Sequence, residues 1–216
     1  MRLPVVAYAG LRVHAVVAEL AKPLEQVPSP PWLTGLLCLD ASAPVRGSEG
    51  VRTAVRDLLR ARGYRPTGRG KPSSEYLAAA IGEGRLGSIN AVVDAGNAAS
   101  LHSGLPISVV DLDACRPPLC IAVPPAGARY VFNRGGQEID VGGLPSLCDA
   151  DGPCANAVKD AQRTKTTAAT RRVLGVVWGA AAPDAEHAGR TAGWLLELLA
   201  ALGASAHAVA VEVAPD

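Results

Sequence analysis

The chain has 216 residues, 49% apolar and 19% charged, with 21 basic residues against 20 acidic ones and a net charge of +1. That composition supports a buried core and excludes a chain disordered throughout. The near-neutral balance excludes a global field that would drive the protein onto nucleic acid. No apolar run approaches the roughly 20 residues that cross a bilayer, and the opening MRLPVVAYAG lacks the apolar core of a secretory signal. A single cytoplasmic domain over residues 1–216, with no membrane contact, is the expectation. The five cysteines are odd in number and lack metal-ligand spacing, so reduced thiols and no metal are expected.

In chain order, LRVHAVVAEL (11–20) reads as an early Val-rich strand, and VPSPPWLTG (27–35) as an irregular connection. SEGVRTAVRDLLRARG (48–63) predicts a helix capped by Ser48, with Val51, Val55, Leu58 and Leu59 on one stripe and Gly63 as the stop. Away from that stripe Arg52, Arg56 and Arg60 recur at i, i+4 and i+8, a basic ridge that suits phosphates or solvent. A Gly/Pro loop follows, which extends the basic stretch through Arg62, Arg65, Arg69 and Lys71 with the same two readings, then a second helix from Ser73 or Ser74 to about Gly82 or Gly84.

SINAVVDAGNAASLHSG (88–104) predicts a third helix, capped at Ser88 and stopped at Gly104, with Asn90, Asp94 and Asn97 aligned on one side. Such residues are poor helix formers, so their alignment points either to structural hydrogen bonds or to a pocket reading a ligand's amine and carbonyl. His102, near the helix end, sits where the dipole favours its protonated form. Beyond Pro106 the period becomes two. PISVVDLDAC, LCIAVPP, ARYVFN and QEIDVG read as short strands, and the glycines of FNRGGQEIDVGG punctuate a hairpin. KDAQRTKTTAAT (159–170) mixes Arg163 and Lys165 with threonines, a set that fits phosphate or sugar contacts as well as a solvated turn. A buried strand (171–180), a helix opened by Pro183 and Asp184, and a last strand (206–213) complete the chain. Helices before and after a group of strands argue α+β, a mixed or antiparallel sheet with helices packed around it. No nucleophile elbow, P-loop, zinc-protease or dinucleotide motif is present.

The stretch SINAVVDAGNAASLHSGLPISVVDLDAC resembles a segment of the B3/B4 domain of the bacterial phenylalanyl-tRNA synthetase beta subunit, whose family form is I-N-N-V-V-D-V-T-N-Y followed by a G-Q-P-M-H-A-F-D turn. The likeness extends over about residues 45–180, and RTKTT is similar to the form in free-standing relatives. It implies an α+β editing-type fold whose pocket hydrolyses tyrosine wrongly attached to the phenylalanine tRNA. Asn97 falls on the family's pocket Asn, Ser108 where the family has its turn His, and Gln162 near the editing Glu of a Gly-Gly-Glu-His string. The His and Glu are thus replaced, and water would be oriented by Asn97, Ser108, Gln162 and Thr164. The implied substrate contacts are Asn90, Asp94, Asn97, Pro106, Ser108, Arg163, Thr164 and Lys165, with Arg52, Arg56 and Arg60 toward tRNA. The leading expectation is a free-standing deacylase of mischarged, aromatic aminoacyl-tRNA that needs no cofactor and has tRNA rather than DNA as its partner. The alternatives are a non-catalytic tRNA or amino-acid-like ligand binder, and a small-molecule hydrolase that reuses the pocket.

Overall fold

The computed structural model describes residues 1–214. Its strands are β1 (Arg2–Val5), β2 (Leu11–Glu19), β3 (Ile107–Asp111), β4 (Cys120–Ala122), β5 (Arg129–Val131), β6 (Glu138–Asp140), β7 (Ser146–Asp149), β8 (Gly152–Asn156), β9 (Arg172–Ala180) and β10 (Ser205–Val213). Its helices are α1 (Pro31–Thr34), α2 (Glu49–Arg60), α3 (Ser73–Gly82), α4 (Ala91–Ser103) and α5 (His187–Ala201). Eight strands form one mixed sheet in the order β3-β9-β2-β10-β1-β4-β7-β8, and β5 pairs with β6 as a separate hairpin. The α+β expectation holds. Strand β9, antiparallel to β2 and β3, has every residue after Arg172 buried. Short β1, parallel to both β10 and β4, joins the long-stranded half to the short-stranded half.

Alternation along the long strands explains the two-sided core. Val16, Ala18, Val173 and Val177 face α4 and α5, packing with Val92, Ala95, Leu195 and Leu199. The intervening Val13, Val17, Leu174, Val176 and Trp178 face a second cluster with Leu3, Ile121, Leu144 and Leu147. Each such large side chain, when fully buried, contributes about 1.5–3 kcal/mol of apolar transfer free energy. Helix α2 spans both clusters: Val51 and Val55 join the first, Leu58 and Leu59 the second. Ser48 caps it as expected, its Oγ accepting from the Val51 amide at 3.2 Å.

Helix α4 starts later than its sequence suggests. Asn90, not Ser88, is the cap: its Oδ1 accepts from the Val93 amide at 3.1 Å, and its Nδ2 donates to Thr166 Oγ1 at 3.2 Å. At the other end Gly104 adopts the left-handed conformation (φ 75°) that stops the helix. Gly96 lets α4 settle onto β3, since a Cβ there would lie 2.6 Å from Val109 Cγ2. Three strands were not anticipated. β1 is four residues long and contains Pro4, and β7 and β8 lie among Pro145, Gly152 and Pro153, with a register irregularity where they pair. Among the described residues no helix is long and apolar enough to cross a membrane.

Candidate active site

The sheet curls until its two edge strands meet, and Ser108 Oγ on β3 comes within 3.4 Å of the Asn156 carbonyl oxygen on β8. A cleft of about 550 Å³ opens over this seam. It is lined by Asn97 of α4 and Ile107 of β3, by buried Asn156 with Lys159 and Asp160, by Phe132 and Gln137 from the turn between β5 and β6, and by exposed Arg69, Lys71 and Tyr76. The Asn97 amide has no hydrogen-bond partner among the described residues and faces the cleft, free for a ligand.

Asp160 is the one carboxylate lining the cleft among the described residues. Ser108 Oγ donates to its Oδ1 at 2.6 Å and in turn accepts from Trp178 Nε1 at 2.9 Å. Ser108 and Trp178 are both buried, so this relay fixes the carboxyl from below while one edge of the residue stays on the cleft. Burial pushes the Asp160 carboxyl up to about 7, against the opposing pull of Ser108, Lys165 and the Asn156 backbone. It therefore changes charge near neutrality, the range suited to a general base. The neighbouring frame is equally tied. Asn156 Nδ2 donates to Tyr130 Oη at 2.8 Å, Tyr130 Oη donates to the Lys159 carbonyl at 2.5 Å, and Asn156 Oδ1 accepts from the amides of Val158 and Lys159 at 2.8 and 3.1 Å.

Cations converge on the same place. Arg69, Lys71 and Lys159 have no carboxylate partner among the described residues, and Lys165 Nζ donates only to the Phe132 carbonyl at 2.6 Å. Lys159 Nζ rests 3.9 Å from the centre of the Phe132 ring. Burial, Arg69 and Lys165 together hold the Lys159 ammonium below its ordinary range. Burial also lowers Lys165, while Asp160 opposes that shift. Like charges held partly desolvated are costly until an anion joins them.

The residues singled out in the sequence separate into distinct environments. Asn97 and Lys165 line the cleft, and Ser108 lies directly beneath it. Asn90 is the α4 cap, and Asp94, fully buried, accepts from Ser29 Oγ and Ser88 Oγ at 2.5 Å each and from the Ile89 amide at 2.8 Å. Pro106 is buried, its carbonyl accepting from the Trp178 amide at 3.0 Å. Gln162 opens a single short helical turn, Gln162–Thr164, away from the cleft lining. Thr164 is buried and donates to the Cys154 carbonyl at 3.3 Å. Arg163 grips Asp149 through two bonds of 2.6 and 2.7 Å. The ridge arginines are each paired: Arg52 with Glu49, Arg56 with Glu75 through two bonds, and Arg60 with Asp57.

His102 departs from the expected protonation. Burial first, and then Arg46, lower its affinity for a proton, outweighing the Leu36 carbonyl. Its Nδ1 lies 3.1 Å from Arg46 Nη1 and its Nε2 2.9 Å from the Leu36 carbonyl, so both ring nitrogens are engaged in holding the fold. Cys115, Asp149 and Cys154 place three possible metal-ligand atoms within 4.8 Å of one another. The Asp149 oxygens are already occupied by Arg163 and by the amides of Arg116 and Asp151, each 2.9 Å away. Burial raises the Asp149 carboxyl, but these donors outweigh it and hold it below the usual carboxylate range.

Sequence reasoning missed Asp160, Asn156, Lys159 and Phe132 as site residues, and saw Arg69 and Lys71 only as members of a basic stretch that suits phosphates or solvent. The signal for Lys159 and Asp160 was the polar string that they open, whose threonines and later cations drew attention away from its first two residues.

The comparisons agree with this architecture. A fragment from the N-terminus of the phenylalanyl-tRNA synthetase beta subunit of Pyrococcus horikoshii superposes with a TM-score of 0.53 at 13% identity, over 100% of this chain and 54% of the fragment. The chain therefore spans about half the length of that fragment, and the likeness is one of fold. No curated protein sequence matches the chain. The family model described as the B3/4 domain matches residues 61–195, which contain the whole lining of the cleft. On that match, the chain belongs to the B3/4 domain family.

Proposed function

We propose that this protein is a free-standing editing-type deacylase that hydrolyses the ester of mischarged aminoacyl-tRNA, with aromatic amino acids as the favoured acyl groups. One observation carries the reading: unpaired cations and a single carboxylate that changes charge near neutrality share one cleft at the sheet seam. An aminoacylated tRNA end has the complementary layout, phosphates beside one ester and one α-ammonium group. Arg69, Lys71 and Lys159 hold the terminal phosphates and ribose. The Asn97 amide donates to the ester carbonyl oxygen. Asp160, as carboxylate, takes a proton from water as the water oxygen bonds to the acyl carbon. The bond to the ribose oxygen then breaks, and that oxygen receives the proton. Ser108 positions Asp160 from beneath, where the sequence alone suggested direct contact with water. Gln162 lies away from the lining and has no part in this scheme.

The same carboxylate beside Lys165 also suits a static α-ammonium group. That supports a second reading, a module that holds aminoacyl-tRNA or an amino-acid-like ligand without turnover. Release of labelled amino acid from a panel of correctly and incorrectly charged tRNAs decides between them. Selective release by the wild type that is lost in Asn97→Ala, with tRNA affinity retained, is the result expected. Binding without release from any panel member would establish the second reading instead.

A further inference from the structure

Beyond Phe132 and Lys159 the cleft continues into a second lobe of about 640 Å³, which shares Arg69, Phe132, Gln137 and Lys159 with the first. Arg65 and Arg69 line it, both exposed and without a carboxylate partner among the described residues. Most arginines elsewhere on this surface are paired: Arg2, Arg52, Arg60, Arg85, Arg116, Arg172 and Arg190 each lie within 3.2 Å of a carboxylate oxygen. The acidic members of the lobe, Glu138 and Asp140, stand on the hairpin and face Arg129 at 4.0 Å each. They confine anions to the arginine wall. Between the lobes stands Phe132, the only phenylalanine of the chain, half-buried, with Lys159 over its ring. An aromatic ring flanked by cations that no protein carboxylate neutralises is the arrangement that receives a single-stranded nucleic acid, with bases on the ring and phosphates on the cations.

We infer that the second lobe is the path of the unpaired polynucleotide leading to the reacting end, with one base against Phe132 and the preceding phosphates against Arg65, Arg69 and Lys159. This inference rests on the proposed function for the identity of what fills the first lobe, but its test needs no reaction. Anisotropy of a fluorescent single-stranded RNA of a few nucleotides, carrying no amino acid and titrated at several salt concentrations, reports it. With three phosphate contacts the log–log salt slope is about −2 for the wild type, and Arg65→Ala with Arg69→Ala reduces its magnitude by about 1.4. Phe132→Leu weakens binding roughly tenfold, whereas Phe132→Tyr binds as the wild type does, and a strand lacking bases does not distinguish the three proteins. Both arginines are exposed, so their variants should melt as the wild type does.

Failure of the wild type to bind the strand, or equal binding and equal slopes in the variants, overturns the path. The two proposals fail separately. Selective release from mischarged tRNA by a wild type that does not bind the strand leaves the deacylase and removes the path. Strand binding that obeys the predictions, with no release from any charged tRNA, leaves the path and removes the deacylase.

Discussion

At the scale of single residues, the account turns on the carboxyl of Asp160, up at about 7 because it is buried. The folded state therefore holds a proton that the unfolded chain, with an ordinary value of 3.8, gives up. That preference stabilises the fold fully below the ordinary value and is lost as the pH rises through the folded one. Asp160→Asn, which never ionises, should thus melt higher than the wild type at about pH 8 and converge with it at about pH 4. Thermal melts across that range check the sign. Ser108→Ala removes a donor to the carboxylate, so the pH–rate curve should move to higher pH while the plateau falls. It also leaves the buried Trp178 Nε1–H without an acceptor, a cost of about 1–3 kcal/mol by denaturant titration. The sequence supplied Asn97 and Ser108 by resemblance. It did not supply Asp160, whose environment comes from residues 52 and 4 positions upstream and from the buried Trp178 behind Ser108.

Among the elements, α4 shows how one polar face divides its work. Asp94 and Asn97 are less than one turn apart, yet the first is buried under three donors and the second opens on the cleft. Asp94→Ala should cost roughly 3 kcal/mol of stability because it strands those donors, whereas Asn97→Ala should leave stability nearly unchanged and abolish release. Paired denaturation curves and release assays separate the two. The helical period placed both side chains on one face, and only the packing of Ser29 and of residues 88–89 against that face distinguishes them. Helix α2 was equally readable, from its Ser48 cap to its apolar stripe, but its basic ridge was not. Glu49 and Asp57 lie within the same helix, while Glu75, which grips Arg56, belongs to α3. A role for Arg52, Arg56 and Arg60 in tRNA binding requires phosphates to displace these partners. Alanine at all three should then reduce tRNA affinity and its salt dependence, and an unchanged slope would remove the ridge from the interface.

On the scale of the molecule, the site exists because a mixed sheet curls until β3 and β8 meet. The long strands and the helices that cover them follow from local pattern. The closure does not. It depends on short strands broken by Pro145, Gly152 and Pro153, and on β1, which pairs with β10 from the opposite end of the chain. Local periodicity carries no information on such pairings, so the cleft, its cations and its carboxylate were assembled from segments that read separately as a loop, a hairpin and a turn. The central claim is that this seam performs ester hydrolysis with Asp160 as its base. The measurement that tests it most directly is single-turnover release of tyrosine from mischarged phenylalanine tRNA by the wild type and Asp160→Asn, with tRNA affinity determined in parallel. The account predicts rapid release by the wild type, rising with pH to a plateau above about 7, and loss of at least about a hundredfold in the variant at unchanged affinity. Release at the wild-type rate in Asp160→Asn would contradict it.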